Sequence, residues 1–306
     1  MAYITNEDTI IFEPDFNQEL DLDLISAYAN LIFSNRKLNE KLFESYANER
    51  LFEFYTNDNF VGMSYEKSKF NNCVLNLPSN VALIYFSDYF NQNVSKLPPN
   101  LKYLIFGFYF NQDVSKLPNS LIKLTFSTIF NKSVSALPHN LTYLKFGYNF
   151  NQDISKLPPF LTHLSLGYKF NQNIEMLPHS IINLKLDFKF NKQFEIPTNI
   201  KYLKLDCDNS YIINSLPNSI IELTIGYKFK SKIDNLPTSI KKLVIDKFGI
   251  YDEDLNCLPD FIEELHLNYN YKKRILNIPS NLKKVFCNWR YPYINDFNSC
   301  EVIFYS

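Results

Sequence analysis

The sequence predicts a β-rich solenoid, a stack of about eleven coils of 20 residues with one short parallel strand each, and three observations carry that expectation. A Leu-Pro or Ile-Pro step returns at Pro78, Pro98, Pro118, Pro138, Pro158, Pro178, Pro197, Pro217, Pro237, Pro259 and Pro279, a period that only stacked units produce. Between steps the apolar residues fall at fixed places, as in Leu101, Leu104, Phe106, Phe110, Val114 and Leu117, and again in Leu121, Leu124, Phe126, Phe130, Val134 and Leu137. Finally, a Phe-Asn dyad ends at Asn71, Asn91, Asn111, Asn131, Asn151, Asn171 and Asn191, where the chain must turn away from the strand.

Each element follows from these positions. The Leu-x-Leu alternation of Leu104-Ile105-Phe106, Leu144-Lys145-Phe146 and Leu184-Lys185-Leu186 is what a strand with one buried face requires. Proline has no N–H for a ladder, so it belongs in the turn before the strand. The amides of Asn91, Asn111, Asn131, Asn151, Asn171 and Asn191 are expected to point inward as a structural ladder that satisfies turn groups no strand reaches. Residues 1–69 do not repeat. Leu22, Ile25, Tyr28, Ala29, Ile32 and Phe33 predict a helix over 20–33, and Leu38, Leu42, Tyr46 and Phe52 a second over 37–55. Three segments are therefore expected: a small α-helical N-terminal cap or degenerate F-box-like segment at 1–69, the array at 70–288, and a C-terminal cap at 289–306.

Composition restricts the function. The formal charge of −1 gives no electrostatic hold on nucleic acid or on an anionic membrane, and neither partner is expected. Five cysteines at wide spacing form neither a disulfide framework nor a zinc motif, so a reducing compartment is favoured. Asn131-Lys132-Ser133 matches a glycosylation sequon at a position expected to face inward, where no glycan fits, and this also favours the cytoplasm. No run approaches the ~20 apolar residues of a membrane span. His139, His163, His179 and His266 stand at no spacing that builds a nucleophile with its base, and Asp113, Asp153 and Asp187 are separated by whole coils. No enzyme, metal or cofactor is expected.

The pattern Leu-Pro-x-x-Leu-x-x-Leu-x-Phe/Leu-Gly-x-x-Phe-Asn-Gln-x-Ile resembles the FNIP repeat, known chiefly from social amoebae and giant DNA viruses and similar to the leucine-rich repeat. The resemblance covers about residues 70–288. It implies a horseshoe whose concave strand face binds a protein partner, in the host cytoplasm if the source is viral. Residues on that face are Tyr85, Tyr103, Lys123, Tyr143, Lys145, His163, Lys185, Tyr202 and Lys204. Some relatives join such repeats to an F-box, so the alternative is a substrate-recruiting adaptor of a ubiquitin ligase with a Skp1-like partner at the N-terminal helices. Two residues beyond the strand runs a further column, Phe108, Tyr148, Tyr168, Phe188, Tyr227, Tyr269 and Trp289, which packing between adjacent coils explains at least as well as a bound ligand does.

Overall fold

A computed structural model describes residues 3–6, 8–13, 15–33 and 69–305. The chain divides into two compact units, residues 1–161 and 162–306. Each is a parallel β-solenoid.

In the first unit an antiparallel pair, β1 (Tyr3–Asn6) and β2 (Thr9–Phe12), leads into parallel stacking of β2 on β3 (Asn30–Phe33), β4 (Leu83–Tyr85), β5 (Tyr103–Ile105), β6 (Lys123–Thr125) and β7 (Tyr143–Lys145). The second unit stacks β8 (His163–Ser165), β9 (Asn183–Leu186), β10 (Tyr202–Leu205), β11 (Glu222–Ile225), β12 (Lys242–Ile245), β13 (Glu264–His266), β14 (Lys284–Cys287) and β15 (Glu301–Phe304), all parallel. Strands β4 to β14 sit at the Leu-x-Leu segments of the repeats.

The local causes recur in every coil. The carbonyls of Pro98, Pro118 and Pro138 accept from the N–H three residues on, at 3.2 to 3.3 Å, which makes Leu-Pro-x-x-Leu a β-turn delivering leucine to the strand. Leu104 points into the core and is fully buried, as are Leu124 and Leu144 in the coils that follow. Behind the strands, two columns of phenylalanine fill the interior. Phe106 stacks on Phe110 of its own coil at 3.6 Å and on Phe126 of the next at 5.5 Å, while Phe110 meets Phe130 at 6.1 Å. Gly107 and Gly147 follow the strands where coils come closest. A Cβ at Gly147 would overlap the Ser127 carbonyl oxygen, so no larger residue fits there.

The N-terminal region corrects the expected helical cap. Asp21 caps α1 (Leu22–Ile25) by accepting from Asp23 N–H and Leu24 N–H at 3.0 and 3.1 Å, but the helix is a single turn. Residues 30–33, expected to continue a helix, form β3 instead. Leu31, Ile32 and Phe33 are an unbroken apolar run, and pairing with strands on both sides buries all three, which outweighs their helical spacing. The array therefore begins before residue 70, and β15 carries it beyond 288. The expected helix over 37–55, and with it the later part of the F-box-like segment, falls outside the described residues.

The stacking also shows where those residues enter the repeat. Phe33 and Phe70 stack at 4.0 Å, the arrangement that Phe86 and Phe90 make at 3.8 Å, and Phe12 meets Phe16 at 4.5 Å with the rings tilted by 34°. Asn71 N–H donates to Asn17 Oδ1 at 3.1 Å across 54 positions, where other rungs span 20. Phe33 and Phe70 stand 37 positions apart where Phe86 and Phe90 stand 4 apart, so 33 extra residues fall between them. Phe16-Asn17-Gln18 is thus a repeat motif separated from its fellows by that insertion.

Candidate functional site

The asparagines form a hydrogen-bonded column in each unit. Asn91, Asn111, Asn131 and Asn151 each donate a backbone N–H to the Oδ1 of the asparagine one coil earlier, at 2.9 to 3.0 Å, and Asn191 does so to Asn171 at 3.1 Å. Gln92 and Gln112 add Nε2 donors to the same oxygens. These side chains do not point inward as expected. Asn91, Asn111, Asn151 and Asn171 are half-buried, and Asn131 and Asn191 are exposed. The dyad's phenylalanine takes the interior, leaving the amide at the wall of the turn. The steric objection to a glycan at Asn131 therefore falls. Replacing Asn91 by Ala strands Asn111 N–H and leaves the Gln112 amide only its bond to the Asn91 backbone carbonyl, and thermal melts should show a loss of about 1 kcal/mol, low in the range because water reaches the rung.

The outward strand positions divide by burial. In the first unit, Ile11, Ile32, Leu83, Tyr103 and Ile105 form an apolar cluster against which Tyr85 and Tyr143 pack. Tyr103, expected to be an exposed contact residue, is only 7% accessible. Adjacent coils present apolar residues on this face in register, Leu83 beside Tyr103 and Tyr85 beside Ile105, and they cover one another. Beyond it, Lys123 pairs in register with Tyr143 and Thr125 with Lys145; Lys123, Tyr143 and Lys145 are half-buried. At this edge a cleft of about 200 Å³ is lined by Tyr85, Asp88, Thr125, Ser127, Thr128 and Lys145.

In the second unit, His163, Lys185 and Lys204 are half-buried and Tyr202 is 42% exposed. His163 Nδ1 lies 2.8 Å from Thr162 Oγ1. Lys185 Nζ is 3.1 Å from Asp206, which Lys204 also approaches at 3.8 Å. Further along, opposite charges alternate in register: Lys242 lies between Glu222 at 3.9 Å and Glu264 at 3.1 Å, and Lys284 faces Glu301 at 3.5 Å. Asp206, which engages both lysines, lies one residue past β10, where the Leu-x-Leu alternation that marks the strand positions no longer points to it.

His266 closes this row, stacked on Phe286 at 4.0 Å with Nε2 2.5 Å from Glu264 Oε1. Burial pushes the imidazole below its ordinary value of 6.5 and outweighs the opposing pull of Glu264. The folded protein then binds fewer protons here than the unfolded chain, so this contribution to stability is present above the unfolded value and lost as pH falls below it. Melts taken downward from about pH 7 should show that loss, and His266→Phe should remove it.

Burial pushes the Cys207 thiol up to about 12 and the Cys287 thiol to about 11, far from thiolate chemistry. Among the described residues no group of His, Cys, Asp and Glu is placed to hold a metal ion. Asp113 and Asp153 are held below the usual carboxylate range by the hydroxyls and N–H groups of Ser115 and Ser155, as local turn caps. No described helix is long and apolar enough to cross a membrane.

A turn–strand–turn coil with a buried phenylalanine column and an asparagine rung defines a leucine-rich-repeat-like solenoid. The FNIP Repeat family model matches residues 93–129, 130–169, 156–189 and 190–228, so the chain carries FNIP repeats across 93–228. Among solved structures it is similar to that described as "The crystal structure of CroV588 a novel circular LRR protein structure", at a TM-score of 0.62 and 27% identity. The similarity covers 95% of this chain and 49% of the other, so this chain spans about half the length of that protein. Comparison with curated proteins finds no match.

Proposed function

We propose that the chain is a non-catalytic protein-interaction module that binds a protein partner through its outer strand face. The observation that carries this reading is the chemistry of positions the core does not use. Within each coil the inward residues repeat, while Lys123, Tyr143 and Lys145 in one unit and His163, Lys185, Tyr202 and Lys204 in the other vary from coil to coil. Tyrosine and lysine there combine apolar area with polar tips, the composition of interface cores and rims. Five free thiols, Cys73, Cys207, Cys257, Cys287 and Cys300, support a cytoplasmic setting.

Affinity capture from the source cell should recover a partner with the native chain and lose it with Tyr143→Ala/Lys145→Ala, at an unchanged melting temperature. Equal recovery by both proteins would remove these residues from the interface.

A further inference from the structure

After five of the seven strands β8 to β14 the turn carries an aromatic residue beside a cation, Tyr168-Lys169, Phe188-Lys189, Tyr227-Lys228, Lys247-Phe248 and Trp289-Arg290, while β10 is followed by Cys207-Asp208 and β13 by Tyr269-Asn270. The corresponding pairs of the first unit, Asp88-Tyr89, Phe108-Tyr109, Thr128-Ile129 and Tyr148-Asn149, hold no lysine or arginine. The coil closes without a cation here, so packing between coils does not account for one. Exposure points the same way: Tyr227 is 51%, Phe248 69% and Trp289 58% accessible, large apolar surfaces on a face of otherwise polar turns.

The cations lie against the rings. Lys228 Nζ is 4.3 Å from the Phe188 centroid, Lys189 Nζ 5.4 Å from the same ring, and Arg290 Cζ 4.6 Å from Trp289. Lys189, Lys228 and Arg290 have no ion pair among the described residues. The acids nearby are engaged within the fold. Asp206 faces Lys185 and Lys204, Asp208 accepts from Lys230 N–H and Ser231 N–H, and Asp246 accepts from Phe248 N–H. What remains is a ridge of accessible rings on which Lys189, Lys228 and Arg290 make no ion pair among the described residues, interspersed with carboxylates at fixed places.

We propose that this ridge docks an extended acidic polypeptide segment in which carboxylates alternate with apolar side chains. The carboxylates meet the lysines and arginine, and the apolar side chains cover the rings. Single-stranded nucleic acid would use the same two chemistries, but its unbroken row of phosphates would meet the carboxylates of Asp187, Asp206, Asp208 and Asp246 in these turns. A peptide can space its charges to avoid them. The ridge is distinct from the strand face, so its test is independent of the preceding reading.

Trp289 is the chain's one tryptophan, and it reports directly on the ridge. The full chain is titrated at low salt with a synthetic peptide alternating glutamate and leucine, with the same peptide carrying lysine for glutamate, and with oligothymidylate. The acidic peptide should give a saturable change in Trp289 fluorescence that added salt weakens. Lys189→Glu/Lys228→Glu/Arg290→Glu should weaken it by about tenfold or more at an unchanged melting temperature. The corresponding triple Ala variant should fall between, and Tyr143→Ala/Lys145→Ala should bind as the native chain does. No saturable change, equal binding of the basic peptide, tighter binding of oligothymidylate, or undiminished binding by both triple variants would each overturn the proposal.

Discussion

Phe110→Ala should lower the stability of the first unit by about 3–5 kcal/mol, the largest loss expected from a single side chain in the array. Phe110 is wholly buried and packs against three rings, Phe106 at 3.6 Å, Phe90 at 6.2 Å and Phe130 at 6.1 Å. Removing it leaves a hole bounded by rigid aromatic planes, which cannot collapse as flexible leucines would. Each coil touches only its neighbours, so the loss is concentrated in the coils of β4 to β6. Hydrogen exchange should show their amides opening before those of the second unit, while a denaturant melt gives the total. A loss below about 1 kcal/mol would mean that the phenylalanine column is not the packed core.

Leu144→Ala is expected to cost about 2–5 kcal/mol, whereas Tyr143→Ala on the same strand should cost much less. Leu144 is fully buried between the strand neighbours Leu124 and the phenylalanine columns; Tyr143 points to the other face and is half-buried. Adjacent residues on opposite faces make a paired comparison in which backbone propensity nearly cancels. A larger loss from Tyr143→Ala would invert the assignment of the two faces.

The coil period and the strands β4 to β14 were legible in the sequence because the twenty-residue spacing and the Leu-x-Leu alternation are both local in the chain. The first coils were not, because 33 extra residues after Phe33 separate Phe16-Asn17-Gln18 from the next dyad and break the period that would have revealed it. The helix expected over 20–33 failed where a short apolar run fits either periodicity and only pairing with β2 and β4 decides between them. Among the candidate contact residues, Tyr103 shows a different limit. Alternation tells which face a side chain takes, but whether that face is covered depends on apolar neighbours a coil away, and here Leu83 and Ile105 cover it. Asn131 shows a third: the dyad identified the turn, yet which of its two side chains goes inside is set by the fit of phenylalanine against its ring neighbours.

The rung from Asn17 to Asn71 has an evolutionary corollary. Its hydrogen bond, at 3.1 Å, is within 0.2 Å of the 2.9 Å of an uninterrupted coil although it joins residues 54 positions apart, so this corner accepts extra sequence while the rung is kept. A whole module can be grafted there, and the solenoid becomes a chassis that gains new attachments while its own architecture stays constant.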